Sequence, residues 1–181
     1  RRQQRIRFGP RTSRIRRGEG HKSRASAESI PYEFSTVDIP IPGQPERIAF
    51  PEDINDKGHI LTNVRINNLA EALIARRSDK KIKTAIFSCT GLPFADTSAW
   101  SINNKGQIVG YCTDAPSAPS KQYGFIRNRD GSYSLLDFPG ADGTGAFGIN
   151  ERGQVVGQLY GPLRNDHGGA LSYRFHCFIW D

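Results

Sequence analysis

The chain contains no methionine, and none of its segments approaches the length of apolar sequence that a bilayer demands. A transmembrane helix needs about 20 consecutive, mostly apolar residues, so we predict no membrane span. The basic N-terminus is not followed by the apolar region of a signal peptide. Because position 1 is Arg rather than Met, we expect the chain to be a processed or partial product of its gene.

Cysteine is also scarce, with only Cys89, Cys112 and Cys177 in 181 residues. An odd number cannot pair completely within one chain, and none of the three stands in a C-x-x-C spacing. All three lie in or beside predicted strands, so we expect buried, small apolar side chains. The sequence leaves the redox compartment open. No spacing points to a bound metal ion or cofactor, and we predict neither.

Positive charge is concentrated at the N-terminus. Residues 1–28 carry ten Arg or Lys side chains against two Glu, and this segment accounts for the formal net charge of +7. Few of its side chains are apolar, so it cannot bury enough surface to offset the entropy of ordering. We therefore predict a basic disordered tail over residues 1–30 and a folded domain over residues 31–181.

The tail is a candidate site for polyanions, because clustered cations release counterions from nucleic acids and anionic membranes. Only Phe8 is available to stack on bases, and a solvated tail without a partner is the alternative. The candidate polyanion-binding residues are Arg5, Arg7, Arg14, Arg16 and Arg17.

A short motif occurs three times in the remaining sequence. Ile-Asn, two polar residues and Gly stand at Ile54–Gly58, Ile102–Gly106 and Ile149–Gly153, and each copy precedes a run of β-forming residues. The copies are separated by 48 and 47 residues. A fixed period of this size predicts a repeat architecture.

The motif also predicts a hairpin. Asn at the first position of a type I turn can hydrogen-bond the backbone ahead of it, and Gly at the fourth accepts the left-handed conformation. A second predicted hairpin, Tyr123–Arg127 with Tyr133–Phe138, lies between two copies. Four short antiparallel strands per unit of about 47 residues is typical of a β-propeller blade, so we predict an all-β fold with about three blades.

Three blades are too few for a closed ring, which needs roughly four or more. Residues Tyr32–Pro40 align with Tyr133–Pro139 and predict an N-terminal strand that complements the last blade, where the C-terminus lacks one. We expect one of two partners: a second copy of the chain that completes a six-bladed ring, or further repeats of a longer parent chain.

Several segments resemble the bacterial extracellular HAF-repeat family. His176–Asp181 is similar to the His-Ala-Phe-Leu-Trp strand of that family, and Gly148–Gly157 is similar to its Gly-Ile-Asn-x-x-Gly-Gln-Val-Val-Gly segment, with a variant at Ser101–Gly110. Leu136–Gly140 fits the segment between repeats. The resemblance implies an all-β repeat protein located outside the cell or on its surface, and it carries over no catalytic residues.

Polar residues offer a few candidate ligand-binding sites. Asp166 and His167 lie in a Gly-rich loop and could contribute to a cation or ligand site, while a solvated turn is the alternative. His176 could be a metal ligand or a general base. It stands where the other units have Tyr123 and Glu71, so a packing role is the alternative.

Aromatic residues suggest a carbohydrate partner. Trp100, Phe147 and Trp180 would form a sugar-stacking platform if they lined one face of the sheet. Trp100 and Phe147 hold the same place in the motif, three residues before its Asn. Repetition at one position also indicates packing between blades.

These observations favour a non-catalytic extracellular propeller module that binds a ligand through its rim loops or blade interfaces. One alternative is a polysaccharide hydrolase or lyase on the same scaffold, which would need paired carboxylates such as those of Asp137, Asp142 and Asp166. The other is polyanion binding through the Arg-rich tail.

Overall fold

The described residues form eleven β-strands. The structure, a computed structural model, describes residues 37–43, 49–67, 69–78, 81–89, 96–114, 120–161 and 174–181. None of these residues is helical, so this part of the chain has no helix long and apolar enough to cross a membrane. The predicted all-β class is confirmed, whereas the predicted tail over residues 1–30 lies outside the described residues.

The first four strands form an antiparallel sheet in chain order, which we call sheet A. Its strands are β1 (Phe50–Ile54), β2 (Ile60–Ile66), β3 (Leu69–Ser78) and β4 (Lys81–Phe87). A bulge in β1 shifts the register between Pro51 and Asp53. Sheet A therefore has the four antiparallel strands that the sequence predicted for one unit.

The other seven strands form sheet B, which curls into a half-barrel. They are β5 (Asp96–Ile102), β6 (Ile108–Thr113), β7 (Gln122–Arg127), β8 (Tyr133–Leu136), β9 (Gly143–Ile149), β10 (Val155–Gly161) and β11 (Arg174–Trp180). Strands β5–β8 pair antiparallel in sequence, and so do β9–β11. The two halves meet at a single parallel bridge between Gln122 and Gly143.

The three motif copies form the turns that the sequence predicted. In each copy the Gly amide donates to the carbonyl of the Asn three residues earlier, at 2.8 to 3.0 Å. The φ angles of Gly58, Gly106 and Gly153 are 69°, 81° and 98°, a region that glycine enters without a steric penalty. The Asn side-chain Oδ1 accepts backbone N–H groups of its own turn in all three copies.

A first hydrophobic cluster joins sheet A to the β5–β8 half of sheet B. Leu61 and Ile74 of sheet A pack against Ile108 and Phe125, and all four side chains are buried. In a strand, successive side chains point to opposite faces, so the residues next to Ile108 and Phe125 lie on the other face of the β5–β8 half.

A second cluster uses that other face. Val109 and Ile126 pack against Ala146 and Val155 of the β9–β11 half. The β5–β8 half is therefore covered on both faces, by sheet A on one side and by the β9–β11 half on the other.

A third cluster covers the face of sheet A that points away from sheet B. Val64 and Leu73 are buried there together with Ile41, and Ile39 packs beside them. The backbone carbonyl of Pro40 accepts a 3.0 Å hydrogen bond from Thr84 Oγ1. Residues 37–40 form no strand, and the rest of the predicted N-terminal strand lies outside the described residues, so its pairing with the last unit stays a prediction.

Two of the three cysteines are paired. Cys89 and Cys112 are buried and form a disulfide, with Cα atoms 6.4 Å apart, which ties the segment after β4 to β6. Cys177 on β11 is free and exposed. The prediction of a buried side chain is wrong for Cys177, because no described residue covers its face of the sheet.

Candidate functional site

The β9–β11 half of sheet B carries an apolar surface that we call the outer face, made by Phe147, Val156, Cys177 and Ile179. Val156 lies directly opposite Ile179 across the β10–β11 pair. A groove of about 670 Å³ runs along these side chains. Large side chains on this surface are exposed, although β-branched and aromatic residues are those that normally pack against a neighbouring layer.

The positions that correspond to the outer face in the β5–β8 half are buried. Val156 is 50% exposed, whereas Val109, 47 residues earlier, is 0% exposed. Ile179 is 73% exposed, whereas Ile126, at the corresponding place of β7, is 5% exposed. Val109 and Ile126 are covered by the β9–β11 half. The outer face therefore has the composition of a covered surface, although no described residue covers it.

A matching exposed position lies on sheet A. Ile54 is opposite Ile60 on the face that points away from sheet B, and it is 62% exposed. The corresponding residue of β5, Ile102, is 4% exposed because it packs against sheet A. Sheet A and the β9–β11 half thus expose residues whose counterparts in the β5–β8 half are buried.

Hydrogen bonds between the motif turns form what we call the Asn ladder. Asn55 Nδ2 donates to the carbonyl of Asn103 at 3.0 Å, and Asn103 Nδ2 donates to the carbonyl of Asn150 at 3.1 Å. Asn55 and Asn103 are buried, whereas Asn150 is exposed and its Nδ2 donates to Gln154 Oε1 at 2.7 Å. The ladder therefore ends with an exposed amide.

A second row of contacts runs beside the ladder. The backbone N–H of Asp56 donates to Asn104 Oδ1 at 2.9 Å, and the backbone N–H of Asn104 donates to Glu151 Oε1 at 2.8 Å. These bonds join residues 47 or 48 positions apart. Both rows join the three motif turns to one another.

The structure brings together two of the three aromatic residues proposed to stack on sugars. Trp100 and Phe147 meet edge to face with ring centroids 5.4 Å apart. Trp180 lies opposite the buried Val155 and lines a different groove of about 320 Å³. Because neighbouring strand residues face opposite sides, Trp180 and the outer face lie on different sides of the sheet, and the three rings share no single platform.

Of the predicted polar site residues, the structure describes His176 alone. His176 lies opposite Leu159, and its Nε2 atom is buried without a hydrogen-bond partner among the described residues. Asp166 and His167 lie outside the described residues, as do the five arginines of the tail. Their roles stay predictions.

The carboxylates singled out for catalysis have other neighbours. Asp137 forms a 2.8 Å ion pair with Lys121, and this hydrogen bond raises the pKa of the Lys121 ammonium. The backbone N–H of Asp142 donates to the carbonyl of Tyr160 at 2.9 Å. Within the described ranges, no three His, Cys, Asp or Glu side chains are grouped so as to hold a metal ion.

Sequence reasoning did not identify the outer face. Its signal was present: Val156 and Ile179 align with Val109 and Ile126, and apolar residues stand at consecutive positions of β10 and β11. Such a run marks a strand that is covered on both faces.

Comparison with known proteins adds no relative from which a function can be taken. No family model, curated protein or solved structure matches the chain. The resemblance to HAF repeats stays a prediction from the motifs.

Proposed function

We propose that the chain is a non-catalytic interaction module of the β-propeller type, whose outer face binds sheet A of a second copy. In this proposal β1–β4, β5–β8 and β9–β11 are successive blades, and two chains complete a six-bladed ring. The observation that carries it is the exposure of Val156 and Ile179 where Val109 and Ile126 are buried. The HAF-like motifs are consistent with the same reading.

The established contact between the two halves of sheet B supports the choice of occupant. There, the β9–β11 half covers Val109 and Ile126 with a face that includes Ile149 at its margin. Ile54 holds the position of Ile149 in the first motif and is exposed on the far face of sheet A. In a second copy Ile41 covers Val64 and Leu73 on this face, so the surface that it offers to the outer face is the exposed margin at Ile54.

The Asn ladder supports the same pairing. The carbonyl of Asn103 accepts from both Gly106 N–H and Asn55 Nδ2, whereas among the described residues the carbonyl of Asn55 accepts from Gly58 N–H. A carbonyl oxygen has two lone pairs. Asn150 Nδ2 of one copy can thus donate to Asn55 of the other and continue the ladder across the contact.

The location that we propose is outside the cell. Disulfides persist in oxidising environments and are rare in the cytosol. The buried Cys89–Cys112 bond is consistent with such a compartment, as is the resemblance to an extracellular family.

The test is the mass of the chain in solution, measured by light scattering over a concentration series. We expect twice the chain mass of 20.1 kDa for the unmodified protein and a single chain mass for Ile179→Asp, because a carboxylate cannot be buried unpaired in an apolar contact. Val156→Asp gives an independent second variant. Leu135→Asp, an exposed residue on β8, is the matched control and should stay dimeric.

Cys177 supplies a second measurement, because its free thiol lies in the groove of the outer face. A thiol reagent should modify it slowly in the assembled protein and rapidly in Ile179→Asp. A single-chain mass at all concentrations, with Cys177 equally reactive in the unmodified and variant proteins, would show that the outer face does not bind a second copy.

A further inference from the structure

A second site lies at the motif turns, away from the outer face, where sheet A meets the β5–β8 half. It is a pocket of about 180 Å³ that we call the basic pocket. Its lining comes from the turn after β1, the end of β3, the turn after β5 and the turn after β7. The charged and titratable side chains around it are Lys57, His59, Arg76, Lys105 and Arg129.

The basic pocket holds four cationic side chains and is lined by no carboxylate. Within the described part of the chain, none of the four forms an ion pair with an Asp or Glu. Lys57 Nζ donates to the carbonyl of Asn104 at 2.6 Å. Like charges gathered at one place repel one another, so this repulsion destabilises the fold unless an anion is bound.

Two carboxylates of the neighbouring turns, Asp56 and Asp130, accept hydrogen bonds from neutral groups. Asp56 accepts from the side-chain amide of Asn104. Asp130, in the groove next to the pocket, accepts from the backbone N–H and hydroxyl of Ser132 at 2.9 and 2.7 Å. These bonds stabilise the ionised Asp130 and lower its pKa. Neither acid lines the pocket, and neither forms an ion pair with its cations among the described residues.

Arg76 provides a specific donor. Its Nε atom is buried, and no described residue accepts a hydrogen bond from it. Buried polar atoms are nearly always paired, so this guanidinium donor beside the cationic pocket is available to an acceptor of a ligand.

The pKa of His59 reflects the positive charges around the pocket. Burial lowers its pKa, and the charges of Arg76, Lys57 and Arg129 lower it further. Cations from three different elements thus act together on one ring. This convergence agrees with the lining of the pocket.

We propose that the basic pocket binds a tetrahedral oxyanion, phosphate or sulfate, either free or as an ester on a sugar. Pockets for drug-sized ligands have about 300 Å³ or more, so the smaller basic pocket fits one such group rather than a whole ligand. Guanidinium groups bind phosphate and sulfate oxygens with paired N–H donors, and ammonium groups add point charges. This site is independent of the outer face.

The experiment is an NMR titration of the full chain at constant ionic strength with inorganic phosphate, inorganic sulfate, glucose 6-phosphate and glucose 6-sulfate. The His59 ring is observed because anions on the Arg-rich segment do not report there. We expect a saturable shift of the His59 signals and a rise of its pKa on saturation, since the bound charge offsets those of Arg76 and Arg129. Tighter binding of an ester than of its free ion would identify the sugar ester as the ligand, and equal binding the free ion.

Variants distinguish binding in the basic pocket from nonspecific attraction of anions to positive charge. Arg129→Gln, at an exposed residue, and Arg76→Gln should each weaken binding about tenfold, the usual effect of losing one charged hydrogen bond. Arg152→Gln is the matched control, because Arg152 holds the place of Lys57 and Lys105 in the third motif and lies outside the pocket. The proposal is wrong if no anion shifts His59 saturably, or if Arg129→Gln and Arg152→Gln bind equally well.

Discussion

The side-chain amide of Asn103 donates a 3.1 Å hydrogen bond to the backbone carbonyl of Asn150, 47 residues further along the chain. The same amide also donates to Gln107 Oε1 at 2.9 Å, while Asn103 Oδ1 accepts the backbone N–H of Gln107 at 3.0 Å. One buried side chain therefore closes its own turn and joins it to the next.

Asn103→Asp should lower the free energy of unfolding by about 2 kcal/mol at pH 7, the range for an unsatisfied buried polar group. The carboxylate keeps the acceptor for Gln107 N–H but places negative charge against two acceptor oxygens. Urea unfolding measures the loss. Asn128→Asp is the control, because Asn128 begins a similar turn and its amide donates to the Ser132 hydroxyl. An equal loss in both variants would contradict a role for the cross-turn bond.

Gly110→Ala should lower the free energy of unfolding by about 1–3 kcal/mol, the usual cost of overpacking. A Cβ at Gly110 would overlap the carbonyl oxygen of Ser98 and lie 2.9 Å from the Phe125 ring. Thermal unfolding measures the effect. Gly148→Ala is the control, since its Cβ meets only a methyl group of the exposed Val156. Equal melting temperatures for the two variants would exclude the steric explanation.

Reduction of the Cys89–Cys112 bond should cost about 3 kcal/mol, the loop-entropy estimate for cysteines 23 residues apart. The measurement is urea unfolding with and without reductant. Thiol titration of the native oxidised chain should give one free thiol, that of Cys177. Cys177→Ser should remove this thiol and leave the unfolding midpoint of the monomer unchanged. Three free thiols in the native chain would disprove the pairing.

The stability of the fold should depend on the protonation of His59. Its folded pKa lies below the unfolded value of about 6.5, so the unfolded chain binds the proton more readily. Stability is then complete above about pH 6.5, decreases as the pH falls and levels off below the folded pKa.

His59→Gln provides the comparison, because Gln107 and Gln154 hold the same place in the other motifs. Unfolding at pH 7.5 and pH 5 should show a smaller pH-dependent loss in His59→Gln than in the unmodified chain. Identical losses would mean that His59 does not titrate differently in the two states.

The parts of the fold that depend on local chemistry were predictable from the sequence. Asn55 and Gly58, like their counterparts, form a turn because the Asn side chain and the Gly φ angle act within five residues. The bounds of β3 were not predictable in this way. β3 continues through Arg76 to Ser78, because pairing with Lys81 and Lys83 of β4 extends a charged hairpin.

The sites depend on contacts that a pattern along one chain does not contain. Cys177 was expected to be buried like Cys89 and Cys112, yet its burial depends on whether another layer covers β11. The basic pocket joins Lys57, Arg76 and Arg129 from three separate elements. No spacing in the sequence relates those positions, so only the packing of sheet A on the β5–β8 half brings them together.

The two hydrogen bonds of the Asn ladder point in one direction, with each side-chain amide donating to the backbone carbonyl of the later turn. The ladder therefore has unlike ends, a donor amide at Asn150 and an acceptor carbonyl at Asn55, and two identical ends would place donor against donor or acceptor against acceptor. In the dimer that we propose, copies that continue the ladder join head to tail. Such a heterologous contact closes into a ring when the rotation per chain divides a full turn, and otherwise grows into an open filament.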